Sequence, residues 1–184
     1  MPTKLLQCQT QQPSDLIQRT RADRQLQTEI DKALASLRDG LPFLVDLRLA
    51  RVLDTVVEAS WSEHARFQDE ALFPLIAKSK DTPPDIRSLL HRLGNEHIEI
   101  AKRQSDTMVR LRSIALGRRV SESGLQTALE KTLGLRRHHN EAETALENAI
   151  PRVINSIDQM ELKQWAASNG APAFPIGLIL DLWD

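Results

Sequence analysis

The chain has 184 residues, 41% hydrophobic and 27% charged, with a formal net charge of −1. That length suffices for one domain with a real core, and Lys and Arg are spread too evenly to leave an electrostatic footprint for nucleic acid. Cys8 is the single cysteine, no secretory signal is expected from MPTKLLQCQTQQPSD, and no apolar run is long enough to span a bilayer, which together fit a cytoplasmic protein.

The pattern predicts an all-α fold. A flexible arm is expected over 1–13, an up-down four-helix bundle over 14–157, and a short helix with an irregular apolar tail over 158–184. The first helix starts at Ser14, an N-cap after Pro13, and stops at Gly40. Its seam is Leu16, Thr20, Asp23, Leu26, Ile30, Ala33 and Leu37. The second begins near Pro42 and continues past Trp61 to about Lys78, with Pro74 expected to kink it or end its regular part. Val57, Ser60, His64, Phe67, Ala71 and Leu75 follow at steps of three and four, so they share one face. The third helix takes Thr82 as N-cap and Pro83 as first residue, and ends near Gly117. Its seam carries Leu90, Leu93, His97, Ile100, Met108 and Leu111. The fourth starts around Ser121–Ser123 and places Leu129, Leu135, His139, Ala142, Leu146, Ala149 and Val153 on one side. A short fifth helix spans about Asp158 to Ala167. No sustained period-two alternation argues for a strand. The motif E-A-L-F-P in the second helix has an echo in E-N-A-I-P of the fourth, as two related helical hairpins would give.

Each helix puts a metal-capable side chain on its core face: Asp23, His64, His97, and His139 with Glu143. In a bundle, inward residues at similar heights converge, and cores of this kind hold metals. His139 and Glu143 are four residues apart, one turn on the same face. Gln68 stands at the same spacing from His64, but is a neutral amide. His138 competes with His139, since it lies five residues before Glu143. A histidine with a few carboxylates suits iron, manganese or zinc. The competing reading is a hydrogen-bonded polar network without metal. His91 reads as a surface residue, and the pairs Arg118–Arg119 and Arg136–Arg137 as solvated helix ends or faces. E-x-x-H, H-E-x-x-H, G-x-S-x-G and Gly-rich phosphate loops are all missing, and without tyrosine no tyrosyl radical chemistry can run.

The segment S-E-H-A-R-F-Q-D-E-A-L-F-P-L-I resembles the second-helix signature of hemerythrin-like (HHE cation-binding) domains. N-E-H-I-E-I is similar to the third-helix motif of that family, and R-R-H-H-N-E-A-E-T-A-L-E-N-A-I-P to its last ligand motif. The resemblance covers about Ser14 to Ile157. It implies a four-helix bundle holding a non-haem di-iron centre, with members that bind dioxygen, store or sense iron, or respond to oxygen, nitric oxide or redox state. The chain departs from the pattern at three places. Asp23 replaces a first-helix histidine, Gln68 replaces the bridging glutamate, and Ala101 stands where some members carry a further histidine. Asp69 follows Gln68 but points about 100° away on an ideal helix.

The expected function is a hemerythrin-like metal-binding protein for oxygen, redox or iron sensing or sequestration. Its site would draw on His64, His97, His139, Glu143, Asp23, His138 and Gln68. The cofactor is non-haem iron, mono- or dinuclear, another divalent metal, or none. The partners are the ion and dioxygen or another small diatomic, with no nucleic acid and no membrane. The alternative is a degenerate, metal-free bundle serving as an interaction module, with the apolar tail Phe174 to Trp183 either folded back over a groove of the bundle, the favoured reading, or serving as a dimer or partner surface. An enzyme is a third reading, resting only on a bound iron with an open position.

Overall fold

The structure is a computed structural model that describes residues 14–41 and 45–169. The described residues form helices joined by short turns, with no strand among them. Helix α1 spans Ser14–Gly40. Helix α2, Leu47–Phe67, runs without a break through a π-helical turn, Gln68–Leu72, into α3, Phe73–Lys78. Helices α4 (Pro84–Ala115), α5 (Glu122–Val153) and α6 (Ser156–Asn169) follow. The expectations for the N-terminal arm with Cys8, for Pro42 and for the apolar tail Phe174 to Trp183 lie outside the described residues.

Several boundaries move from their expected places. Helix α2 starts at Leu47, because the Asp46 carboxylate caps it, accepting from the amides of Arg48 at 2.8 Å and Leu49 at 3.1 Å. Helix α4 starts one residue later than expected, with Pro84 in its first turn and Pro83 outside. Thr82 is instead buried, and its hydroxyl donates to the Ile76 carbonyl. The stop at Gly117 is as expected: its φ is +72°, its amide reaches the Ile114 carbonyl, and the Arg118 amide reaches that of Ser113. That pair of bonds is a Schellman motif, which favours glycine at the left-handed position. Pro74 does not end the second helix. It lacks an N–H and its ring crowds the carbonyl one turn back. The chain answers by widening: the Phe73 amide reaches back five residues to the Gln68 carbonyl.

Helix α1 packs on α2 and α5, and α4 packs on the same two. Two apolar clusters fill the space between them. One joins Ile30, Leu34 and Leu37 of α1 to Leu53, Val57, Met108, Leu111, Leu125 and Leu129. The other joins Phe67, Leu72 and Ile76 to Leu90, Leu93, Leu146, Ile150 and Leu162 of α6. Both are made mainly of aliphatic side chains at helical spacing, with Phe67 and Phe73 in the second, and their removal from water is the main force holding the helices together. Between the clusters lies a buried polar band. It contains Ser60 and His64 of α2, His97 and Gln104 of α4, and Thr132, Arg136 and His139 of α5.

Candidate metal centre

His64, His97 and His139 are each 2% exposed or less. They come from α2, α4 and α5, and each offers a ring nitrogen that lies within 4.8 Å of the others. The Nε2 atoms of His64 and His139 are 3.3 Å apart. That is the edge of a tetrahedron around an ion with bonds of about 2.0–2.1 Å to imidazole nitrogen. Glu143, one turn beyond His139 on α5, brings its oxygens to 3.5 Å from His64 Nε2 and 3.9 Å from His139 Nε2. It is the one carboxylate that reaches the inner side of the rings among these contacts.

The outer nitrogens are all engaged by carboxylates. His64 Nδ1 lies 2.6 Å from Asp23 Oδ2, His97 Nδ1 2.9 Å from Asp69 Oδ1, and His139 Nδ1 3.1 Å from Glu96 Oε2. A carboxylate accepts only from an N–H, so each Nδ1 carries the proton. A ring protonated at Nδ1 alone keeps its Nε2 lone pair facing inward, the arrangement of metal-ligating histidines. Aromatic neighbours hold the rings in place. Phe73 stacks on His97 with centroids 5.7 Å apart, and Trp61 lies 4.9, 5.8 and 5.3 Å from His64, His97 and His139. The Trp61 indole N–H donates to the His97 carbonyl at 3.3 Å.

Three polar atoms at this place are buried without a hydrogen-bond partner: His97 Nε2, Glu143 Oε2 and Gln68 Oε1. Such atoms are rare in folded cores, and each costs about 1–3 kcal/mol if left bare. All three carry lone pairs, so a cation satisfies those within its reach, and another hydrogen-bond acceptor would satisfy none. The residues present therefore fit a metal ion. The Gln68 amide donates to Glu143 Oε1, which holds that carboxylate with its second oxygen free.

The electrostatics agree with the hydrogen bonding. Burial pushes His139 down, and the positive charges of His64, His97, Arg136 and His138 push it further, to about 2. It is a neutral imidazole. Burial also presses on His64, but the charges of Glu143 and Asp23, with the Asp23 hydrogen bond, outweigh it and raise His64 above the ordinary histidine range. His64 thus meets Asp23 on its outer side, and on its inner side its Nε2 faces that of His139.

The sequence-based candidates separate cleanly. His64, His97, His139 and Glu143 converge. Asp23 reaches the site only through the outer edge of His64, and Gln68 through Glu143. His138 turns to the surface, where its side chain is 60% exposed and lies 3.2 Å from Glu96. The reading of Arg136 as solvated is wrong, since it is fully buried. Its guanidinium donates to Asp31, to the Gln104 side chain at 2.9 Å and to the Gln27 side chain at 2.9 Å, and lies 5.0 Å over the Trp61 ring. Its position three residues before His139 put it on the core face of α5, a signal the doubled Arg-Arg obscured. Asp69, which points away from Gln68, and Glu96 are not among the expected site residues, yet each meets the Nδ1 of a histidine on another helix. A pocket of about 320 Å³ is lined by Trp61, Asp69, His97 and Ala101 among others. No helix of the described residues is long and apolar enough to cross a membrane. Set against models of known families, characterised proteins and solved structures, the chain matches none of them.

Proposed function

We propose that this is a hemerythrin-like metal-binding protein, an up-down four-helix bundle that holds non-haem iron to sense or sequester oxygen, redox state or iron in the cytoplasm. The observation that carries the reading is the set of bare inward donors, His97 Nε2 and Glu143 Oε2, beside His64 and His139. In this reading the three histidines and Glu143 hold the ion, and Asp23, Asp69 and Glu96 fix the rings that hold it. Trp61, Phe73 and the flanking apolar clusters keep bulk water from the inner side. Bound iron supplies a Lewis acid that changes oxidation state and accepts small ligands. A metal-free interaction module explains the departures at Asp23, Gln68 and Ala101, but leaves His97 Nε2 and Glu143 Oε2 unpaired.

The test is elemental analysis of protein purified anaerobically without chelator, with absorption spectra before and after air. Iron that co-purifies with the wild type and is absent from His97→Ala supports the reading. Protein that holds no metal, even after anaerobic iron loading, overturns it.

A further inference from the structure

Hemerythrin-like domains imply a pair of irons joined by bridging carboxylates, and the inner surface of this site does not provide them. Resting on the metal-binding reading above, we propose that the site takes one divalent cation. Its ligands are Nε2 of His64, His97 and His139 and a carboxylate oxygen of Glu143. Asp23, Asp69 and Glu96 are positioning residues that act through the imidazole Nδ1–H.

The donor atoms form a single cluster: Nε2 of His64 and of His139 are 3.3 Å apart, the separation that one ion sets, and all three histidine nitrogens lie within 4.8 Å of one another. The other acids nearby stand on the wrong side of the rings. Asp23, Asp69 and Glu96 each meet an Nδ1, so none is turned inward to bridge. Where a second bridging acid would be needed, Gln68 offers a neutral amide and spends its N–H on Glu143. Two divalent ions would bring four positive charges to one inner carboxylate in a buried site, and desolvated charge without compensation is costly. A further buried cation, Arg136, already lies across the Trp61 ring from the histidines. One divalent ion leaves a balance that Glu143 and the three outer carboxylates meet.

The outer carboxylates matter because each decides which ring nitrogen carries the proton. Removing one lets the ring turn or change tautomer, and losses of about ten- to a hundredfold in metal affinity are usual for partners of this kind. That effect is distinct from stability, since Asp69 is 41% exposed and its loss leaves the apolar clusters intact.

The experiment is an anaerobic titration of the metal-free, full-length chain with Fe(II), and separately with Zn(II). Bound metal is counted after gel filtration, and melting curves of each metal-free protein are recorded. The wild type is expected to saturate at one equivalent. Asp69→Ala and Glu96→Ala lower the metal-free melting temperature by only a few degrees, for the bared Nδ1–H, and keep the one-equivalent limit, but bind about ten- to a hundredfold more weakly. Asp69→Asn, which keeps an acceptor for the Nδ1–H, recovers part of that loss. Saturation of the wild type at two equivalents overturns the single-ion site while leaving metal binding in place. No binding by the wild type overturns both readings. Unchanged affinity in both alanine variants overturns the positioning role.

Discussion

Two buried polar layers sit one turn apart on α5, one around Arg136 and one around His139, and they differ in how their hydrogen bonds end. Each of the three guanidinium nitrogens of Arg136 donates to an acceptor, on Asp31, Gln104 or Gln27, and Trp61 covers its face. The histidine layer is closed on its outside by Asp23, Asp69 and Glu96 but open on its inside, at His97 Nε2 and Glu143 Oε2. Both layers interrupt an apolar core at similar depth, so burial alone does not distinguish a structural polar group from a binding site. The direction of the unpaired atoms does. A closed layer specifies how helices fit together; an open one has room for a ligand of the opposite charge.

This contrast predicts different responses to mutation and to metal. The largest effect is expected at the closed layer. Arg136→Met leaves Gln27 and Gln104 buried without this partner and Asp31 with Asn140 alone, and should cost about 3–5 kcal/mol in urea unfolding, with or without metal. A loss of only about 0.5 kcal/mol, as for an ordinary surface change, would show that the layer is not closed. The open layer should respond to metal instead. An ion at a hundred times its dissociation constant stabilises the wild type by about 2.7 kcal/mol and does nothing for His97→Ala. Equal stabilisation of the two proteins would move the ion elsewhere.

Smaller effects sharpen the picture. Gln68→Glu takes an N–H donor from Glu143 and puts a second carboxylate against it. The metal-free variant should lose about 1–3 kcal/mol, and divalent metal should restore part of it. A variant whose stability ignores metal would mean that Gln68 does not face the ion. His138→Ala is expected to stay within about 0.5 kcal/mol of wild type and to bind metal as well, because His138 is on the surface. Weakened binding there would reverse the assignment of His138 and His139.

The helices and most of the site were legible in the sequence because both follow from spacing along single helices. Val57, Ser60, His64, Phe67, Ala71 and Leu75 are all buried, as their three- and four-residue steps required. His139 and Glu143 meet because they are one turn apart. What spacing within one helix cannot give is the identity of the partner across a helix interface. Gln68 and Asp69 point in different directions, and for that reason reach different helices: Gln68 touches Glu143 of α5 and Asp69 touches His97 of α4. Read on one helix, the angle between them looked like a reason to set Asp69 aside. The same limit hid Glu96, which serves His139 rather than its own neighbour His97. The π-helical turn depended on how the backbone would accommodate Pro74, and either a kink or a widened turn satisfied the missing N–H.

The most direct test of the open layer is a crystal of the protein grown with divalent metal, with diffraction recorded at the absorption edge of that metal. One anomalous peak is expected, about 2.0–2.2 Å from Nε2 of His64, His97 and His139 and from a Glu143 oxygen. No peak at that place, or a peak on the outer side of the rings among Asp23, Asp69 and Glu96, would contradict the account.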